Sequence, residues 1–184
     1  MATASQGIKR IVVGVDGSDH AAAALDWAIS LAKPIGAEIV AVSALHVAVQ
    51  PFDPYAVALP LEYDPEWRAA MKKAFEEEWC KPLRESGLRY RMEMQDGRPA
   101  SVIADVAEAV DADLVVVGRR GLGGVAELLI GSVSHELSHH CKRPVLLISG
   151  KKADPGRERE AAGAPEALAA TQEALAVIEE AALR

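Results

Sequence analysis

The sequence predicts an α/β fold: a five-stranded parallel sheet in the order 3-2-1-4-5 with helices on both faces. Two observations lead to it. Short β-branched runs alternate along the chain with amphipathic helical stretches, and strands alternating with helices imply right-handed crossovers between parallel neighbours. The apolar residues, 50% of the chain, are mostly Ala, Val, Leu and Ile with only 4% aromatics, which suits small-faced helices packed on a buried sheet.

Taken in order, residues 11–15 are a β-branched run and form the first strand. The turn Asp16-Gly17-Ser18 follows, with Ser18 placed to cap an Ala-rich helix that stops near Pro34-Ile35-Gly36. Residues 38–45 read as the second strand. The segment 46–63, interrupted by Pro51, Pro54 and Pro60, is an irregular insertion. One helix is expected from Asp64-Pro65-Glu66 to about Glu85, weakened at Pro82 and ended by Gly87. A third strand over 88–95 leads to the turn Asp96-Gly97, and Pro99 suits the first position of a helix burying Val102, Ile103, Val106 and Val110. Residues 114–117 form the fourth strand, 132–140 the last helix of the core and 145–148 the fifth strand. The core domain thus spans 1–149. Residues 150–184 change to a charged, Gly/Pro-containing linker and an Ala/Glu-rich helical tail, with Leu168, Leu175, Ile178 and Ala182 on one stripe.

A net charge of -7 argues against a nucleic-acid partner, which requires many Lys and Arg to neutralise phosphates. The two cysteines, Cys80 and Cys141, have neither metal nor redox spacing, so a cytoplasmic setting is expected. No apolar run approaches the roughly 20 residues of a membrane span, so a soluble chain is expected.

The chemistry concentrates in VVVGRRGLGGVAELLIGSVS, where Gly118, Gly121 and Gly131 are separated by two and nine residues and Ser132 follows. A strand enters this segment and a helix leaves it. Glycines let backbone N–H groups approach phosphate oxygens, and the helix N-terminus adds free donors and a positive dipole. The plainer alternative is a flexible turn with Ser132 as an N-cap. A Walker lysine motif is absent from the sequence. In a 3-2-1-4-5 sheet the order reverses between strands one and four, so Asp16 and the loop after Gly118 should face one crevice. His135-Glu136-Leu137-Ser138-His139 matches the zinc-protease pattern H-E-x-x-H. Its helix opens directly from the glycine loop and Pro144 ends it, so solvent-facing histidines are the better reading and no metal ligand is assigned.

Val12 to Ser18, the Gly-x2-Gly-x9-Gly-Ser pattern at Gly118, Gly121, Gly131 and Ser132, and Pro144 to Ile148 together resemble the universal stress protein family over about residues 8–149. The resemblance implies the ATP-binding branch of that family and an adenine nucleotide alpha hydrolase-like fold. It places Asp16, with Val15 beside it, near the ribose and the Ala44 backbone near adenine. Gly118, Gly121, Gly131, Ser132, Val133 and Ser134 would form the phosphate cradle, with Arg119 or Arg120 reaching a phosphate. Mg²⁺ is expected to accompany the nucleotide, and a homodimer through the last strand is implied. The expected function is an ATP-binding, nucleotide-dependent regulator of stress response with an unidentified protein partner. A slow ATP hydrolase and a nucleotide-free structural partner are the alternatives. No catalytic residue is assigned.

Overall fold

The valine-rich runs pair side by side because each is apolar on both faces and must be covered by helices on both. In the computed structural model, which describes residues 7–46, 65–121 and 130–150, the strands are β1 (Arg10–Gly14), β2 (Glu38–Leu45), β3 (Tyr90–Asp96), β4 (Leu114–Gly118) and β5 (Val145–Ile148). They form one sheet in the order β3-β2-β1-β4-β5 with every neighbouring pair parallel, as the alternation of elements predicts.

One face is covered by α1 (Asp19–Ile35), whose Ala21, Ala24, Leu25, Ala28, Ile29 and Ala32 recur at helical spacing and are buried. Four of these six are alanines, so the helix lies close on Ile11, Val13, Ile39 and Val116. The opposite face carries α4 (Pro99–Ala109) and α5 (Ser132–His140), which bury Val102, Ile103, Val106 and Leu137 against Val12, Val40, Val42, Val115 and Val117. Each such aliphatic side chain contributes about 1.5–3 kcal/mol on leaving water. The helix ends follow the sequence signals: Ser18 caps α1, and Gly36, at φ 66°, closes it by donating its N–H to the Ala32 carbonyl.

The single helix expected over 64–85 is instead three pieces: α2 (Pro65–Lys73), a π-helical turn (Ala74–Trp79) and α3 (Lys81–Arg84). The physical reason lies in its apolar anchors. Phe75, Cys80 and Leu83 are all buried beside α1, yet a regular α-helix would carry Cys80, five positions on, well away from the face of Phe75. The Cys80 N–H reaches the Phe75 carbonyl at 3.0 Å, a five-residue step that returns both side chains to the core. The third strand begins at Tyr90, two residues later than expected, because Leu88 N–H is taken by the Ser86 hydroxyl at 3.1 Å. Most of the 46–63 insertion and the linker and tail beyond Gly150 lie outside the described residues.

Candidate functional site

The sheet register opens a crevice. β1 pairs with β4 only from Ile11 to Val13, opposite Leu114 to Val116. Beyond that point β1 follows β2, with Val15 N–H on the Val42 carbonyl at 2.8 Å, and β4 follows β5, with Arg119 N–H on the Ile148 carbonyl at 2.7 Å. The carboxyl ends of β1 and β4 therefore part where the strand order reverses, the position at which open α/β sheets take ligands.

From the β1 side, Asp16 enters this opening. Its Oδ1 accepts from Ser18 N–H at 3.0 Å and from Ser18 Oγ at 2.6 Å, while Ser18 Oγ accepts from Ala21 N–H at 3.2 Å. One carboxylate oxygen is thus spent on the cap of α1. The other, Oδ2, meets Gly121: a Cβ there would lie 2.5 Å from it. From the β4 side, a Cβ on Gly118 would lie 2.6 Å from the His20 carbonyl carbon, so the strand end rests directly on the first turn of α1.

Gly131 closes the loop on itself. Its N–H donates to the Arg119 carbonyl at 2.9 Å, and a Cβ would stand 3.2 Å from Arg120 Cα and 3.7 Å from Gly121 N. The three glycines of the motif are therefore brought to one place, together with Asp16, although residues 122–129 between them lie outside the described residues. Ser132 opens α5 and is exposed, whereas Ser134 is buried and its hydroxyl donates to the Gly118 carbonyl at 2.7 Å. The two serines have different work: Ser134 ties α5 to β4, and Ser132 faces outward. Val133 packs half-buried against the core on the α4 side of the sheet, and its backbone N–H is among the first donors of α5, which have no acceptor within the helix.

Arg119 and Arg120 each bury Nε with no hydrogen-bond partner among the described residues. A buried guanidinium N–H without an acceptor is costly, and its chemistry is that of an anion donor. Val15 is buried with its N–H committed to β2. Ala44 stands two residues beyond Val42 on β2, opposite Gln95 of β3, and packs half-buried toward α4.

Two residues that the sequence reading passed over touch this region. The indole of Trp79 covers Gly17, and His20 Nδ1 accepts from Gly150 N–H at 2.7 Å. Neither carries a linear signal, since both contacts join segments far apart in the chain. His135 and His139 stack edge to face at 4.6 Å, and Glu136 pairs with Arg98 at 3.2 Å. Among the described residues no group of three or more His, Cys, Asp or Glu is arranged to hold a metal ion, and no helix is long and apolar enough to cross a membrane.

The model of the Universal stress protein family matches residues 7–149. A universal stress protein of Methanocaldococcus jannaschii is 35% identical over 150 residues, a match spanning 79% of this chain and 85% of that one. Among solved structures, a universal stress protein in complex with cAMP superposes with a TM-score of 0.58 at 26% identity, covering 78% of this chain and 98% of that one. The universal stress protein from Archaeoglobus fulgidus in complex with dAMP shares the fold, with a TM-score of 0.56 at 24% identity over 76% of this chain and 97% of that one.

Proposed function

The chain belongs to the universal stress protein family, and from that premise and the crevice between β1 and β4 we propose that it binds an adenine nucleotide, ATP with Mg²⁺, and acts as a nucleotide-dependent regulator in stress response. The observation that carries the reading is the convergence of Asp16, Gly118, Gly121 and Gly131 at the point where the two strands part, with the adjacent Arg119 and Arg120 each burying an Nε that has no acceptor among the described residues. The residues suit the ligand chemically. Glycine backbone, the exposed Ser132 hydroxyl and the first N–H groups of α5 suit phosphate oxygens, and Arg119 or Arg120 supplies charge. Asp16 Oδ2 is the oxygen left for a ribose hydroxyl, and the Ala44 backbone at the end of β2 is assigned to adenine. Solved relatives whose complexes hold cAMP and dAMP support the adenine class. The bound nucleotide supplies a triphosphate and its metal, while the chain supplies orientation and charge.

A binding role is favoured over turnover by what Asp16 already does: one of its oxygens is fixed by Ser18, which suits a positioned acceptor better than a mobile base. The apolar edge strand β5, half-exposed along its length, would pair with the same strand of a second copy.

Calorimetric titration of ATP with Mg²⁺ into nucleotide-free wild type and Gly131→Asp tests the reading. A Cβ at Gly131 already crowds Arg120, and a carboxylate there sets negative charge against phosphate. Binding in the wild type that is lost in the variant is the expected result. A folded, nucleotide-free wild type that takes up none of ATP, ADP, AMP or cAMP would sink it in favour of a structural partner role.

A further inference from the structure

We propose that Trp79 is a positioning residue of the crevice: its indole, carried onto Gly17 by the π-helical turn, holds the Asp16 carboxylate in the orientation that receives the nucleotide. The inference rests on the adenine-nucleotide reading for its ligand, but its structural half stands on contacts within the chain.

The turn that presents Asp16 is built on a glycine. Gly17 has φ 82°, the region that glycine enters freely and other residues rarely adopt, so the Asp16-Gly17-Ser18 peptide has access to more conformers than an ordinary turn. Ser18 ties Asp16 Oδ1 to the cap of α1, a link that spans Gly17 without touching it. An outside surface is needed to select one conformer, and Trp79 supplies it. A Cβ on Gly17 would lie 2.7 Å from indole Cε2, 2.8 Å from Cζ2 and 3.0 Å from Nε1, so the ring occupies the space that a side chain would take.

That ring is itself well backed. Trp79 meets Phe75 edge to face, with ring centroids 6.4 Å apart and planes at 68°, and Phe75 is buried in the core under α1. The π-helical turn is what brings it there. Trp79 is its last residue, and the wide step from the Phe75 carbonyl to the Cys80 N–H sets the direction in which the indole leaves the backbone. Irregular turns of this kind recur at functional sites because they aim a side chain that a regular helix would point elsewhere. A tryptophan whose only role were packing would gain as much from any apolar neighbour; this one is placed over the flexible residue next to the crevice carboxylate.

The test uses the full chain, with Trp79→Ala, Trp79→Phe and Asp16→Asn, alone and with Trp79→Ala combined with Asp16→Asn. Hydrogen exchange is read first, at the Ser18 amide that donates to Asp16 and the Ala21 amide that donates to Ser18. Trp79→Ala is expected to speed exchange at these two amides about tenfold while the buried α1 amides of Ala28 and Ile29 keep their protection, and Trp79→Phe to restore most of it. In calorimetry with MgATP, Trp79→Ala should weaken binding about tenfold and add little once Asp16 is already Asn, the signature of two residues acting as a unit. Unchanged exchange at Ser18 and Ala21, or a speeding spread evenly along α1, overturns the proposal. So does a binding loss that adds fully to that of Asp16→Asn. If the wild type binds no adenine nucleotide, the ligand assignment fails, and the exchange result still decides whether Trp79 holds the turn.

Discussion

Cys80 shows how a setting rewrites a side chain's chemistry. It is fully buried between Phe75 and Leu83 against α1. Burial pushes its thiol up from an ordinary 9.0 to about 12, with Arg84 drawing it down and Glu76 adding to the rise. Between those two values the native state keeps the proton and the unfolded chain loses it, so the contribution to stability is complete below pH 9.0 and is lost as pH climbs toward 12. Urea unfolding at pH 8 to 11 should therefore show wild type losing stability more steeply than Cys80→Ala, by on the order of 1 kcal/mol per pH unit. Iodoacetamide should modify the half-exposed Cys141 first and reach Cys80 only on unfolding. At this scale the glycines were legible, since spacing and residue type alone mark Gly118, Gly121 and Gly131. The direction of the Ser134 hydroxyl was not, because it depends on a carbonyl sixteen residues away.

The elements were legible wherever a local signal ends them. The cap at Ser18, the left-handed Gly36 and the bounds of β2, α5 and β5 all follow from neighbouring residues. The segment between α2 and α3 was misread because its π-helical turn answers to α1, which no local pattern reveals. The same dependence governs where α1 meets β4. A Cβ on Gly118 would lie 2.6 Å from the backbone of His20, and neither element can withdraw without disturbing the sheet. Gly118→Ala is expected to destabilise the fold by about 1–3 kcal/mol, the range for overpacked contacts. The same variant should weaken MgATP binding, because the strand end that it displaces carries Arg119. Thermal melting and calorimetry on the one variant check both outcomes.

On the scale of the whole molecule, His20 links three places: the first turn of α1, the end of β4 and the exit of the chain from β5. Its Nδ1 accepts from Gly150 N–H at 2.7 Å, and its backbone lies against Gly118. Removing the acceptor leaves the Gly150 N–H without its partner, so His20→Ala should lower unfolding stability by about 1–2 kcal/mol. His140→Ala, at the exposed end of α5, should change it little. Matched urea titrations separate the two, and equal effects would show the Gly150 contact to be incidental. By itself the sequence determined the parallel sheet, its strand order and the glycine spacing, because alternating apolar periodicity and right-handed crossovers leave few arrangements open. Only the tertiary structure decided that Asp16 Oδ2 meets Gly121, that Trp79 covers Gly17 and that His20 holds Gly150. Those contacts join residues from about sixty to more than one hundred positions apart, and such a meeting is settled by how helices seat on a sheet, not by any preference the residues carry along the chain.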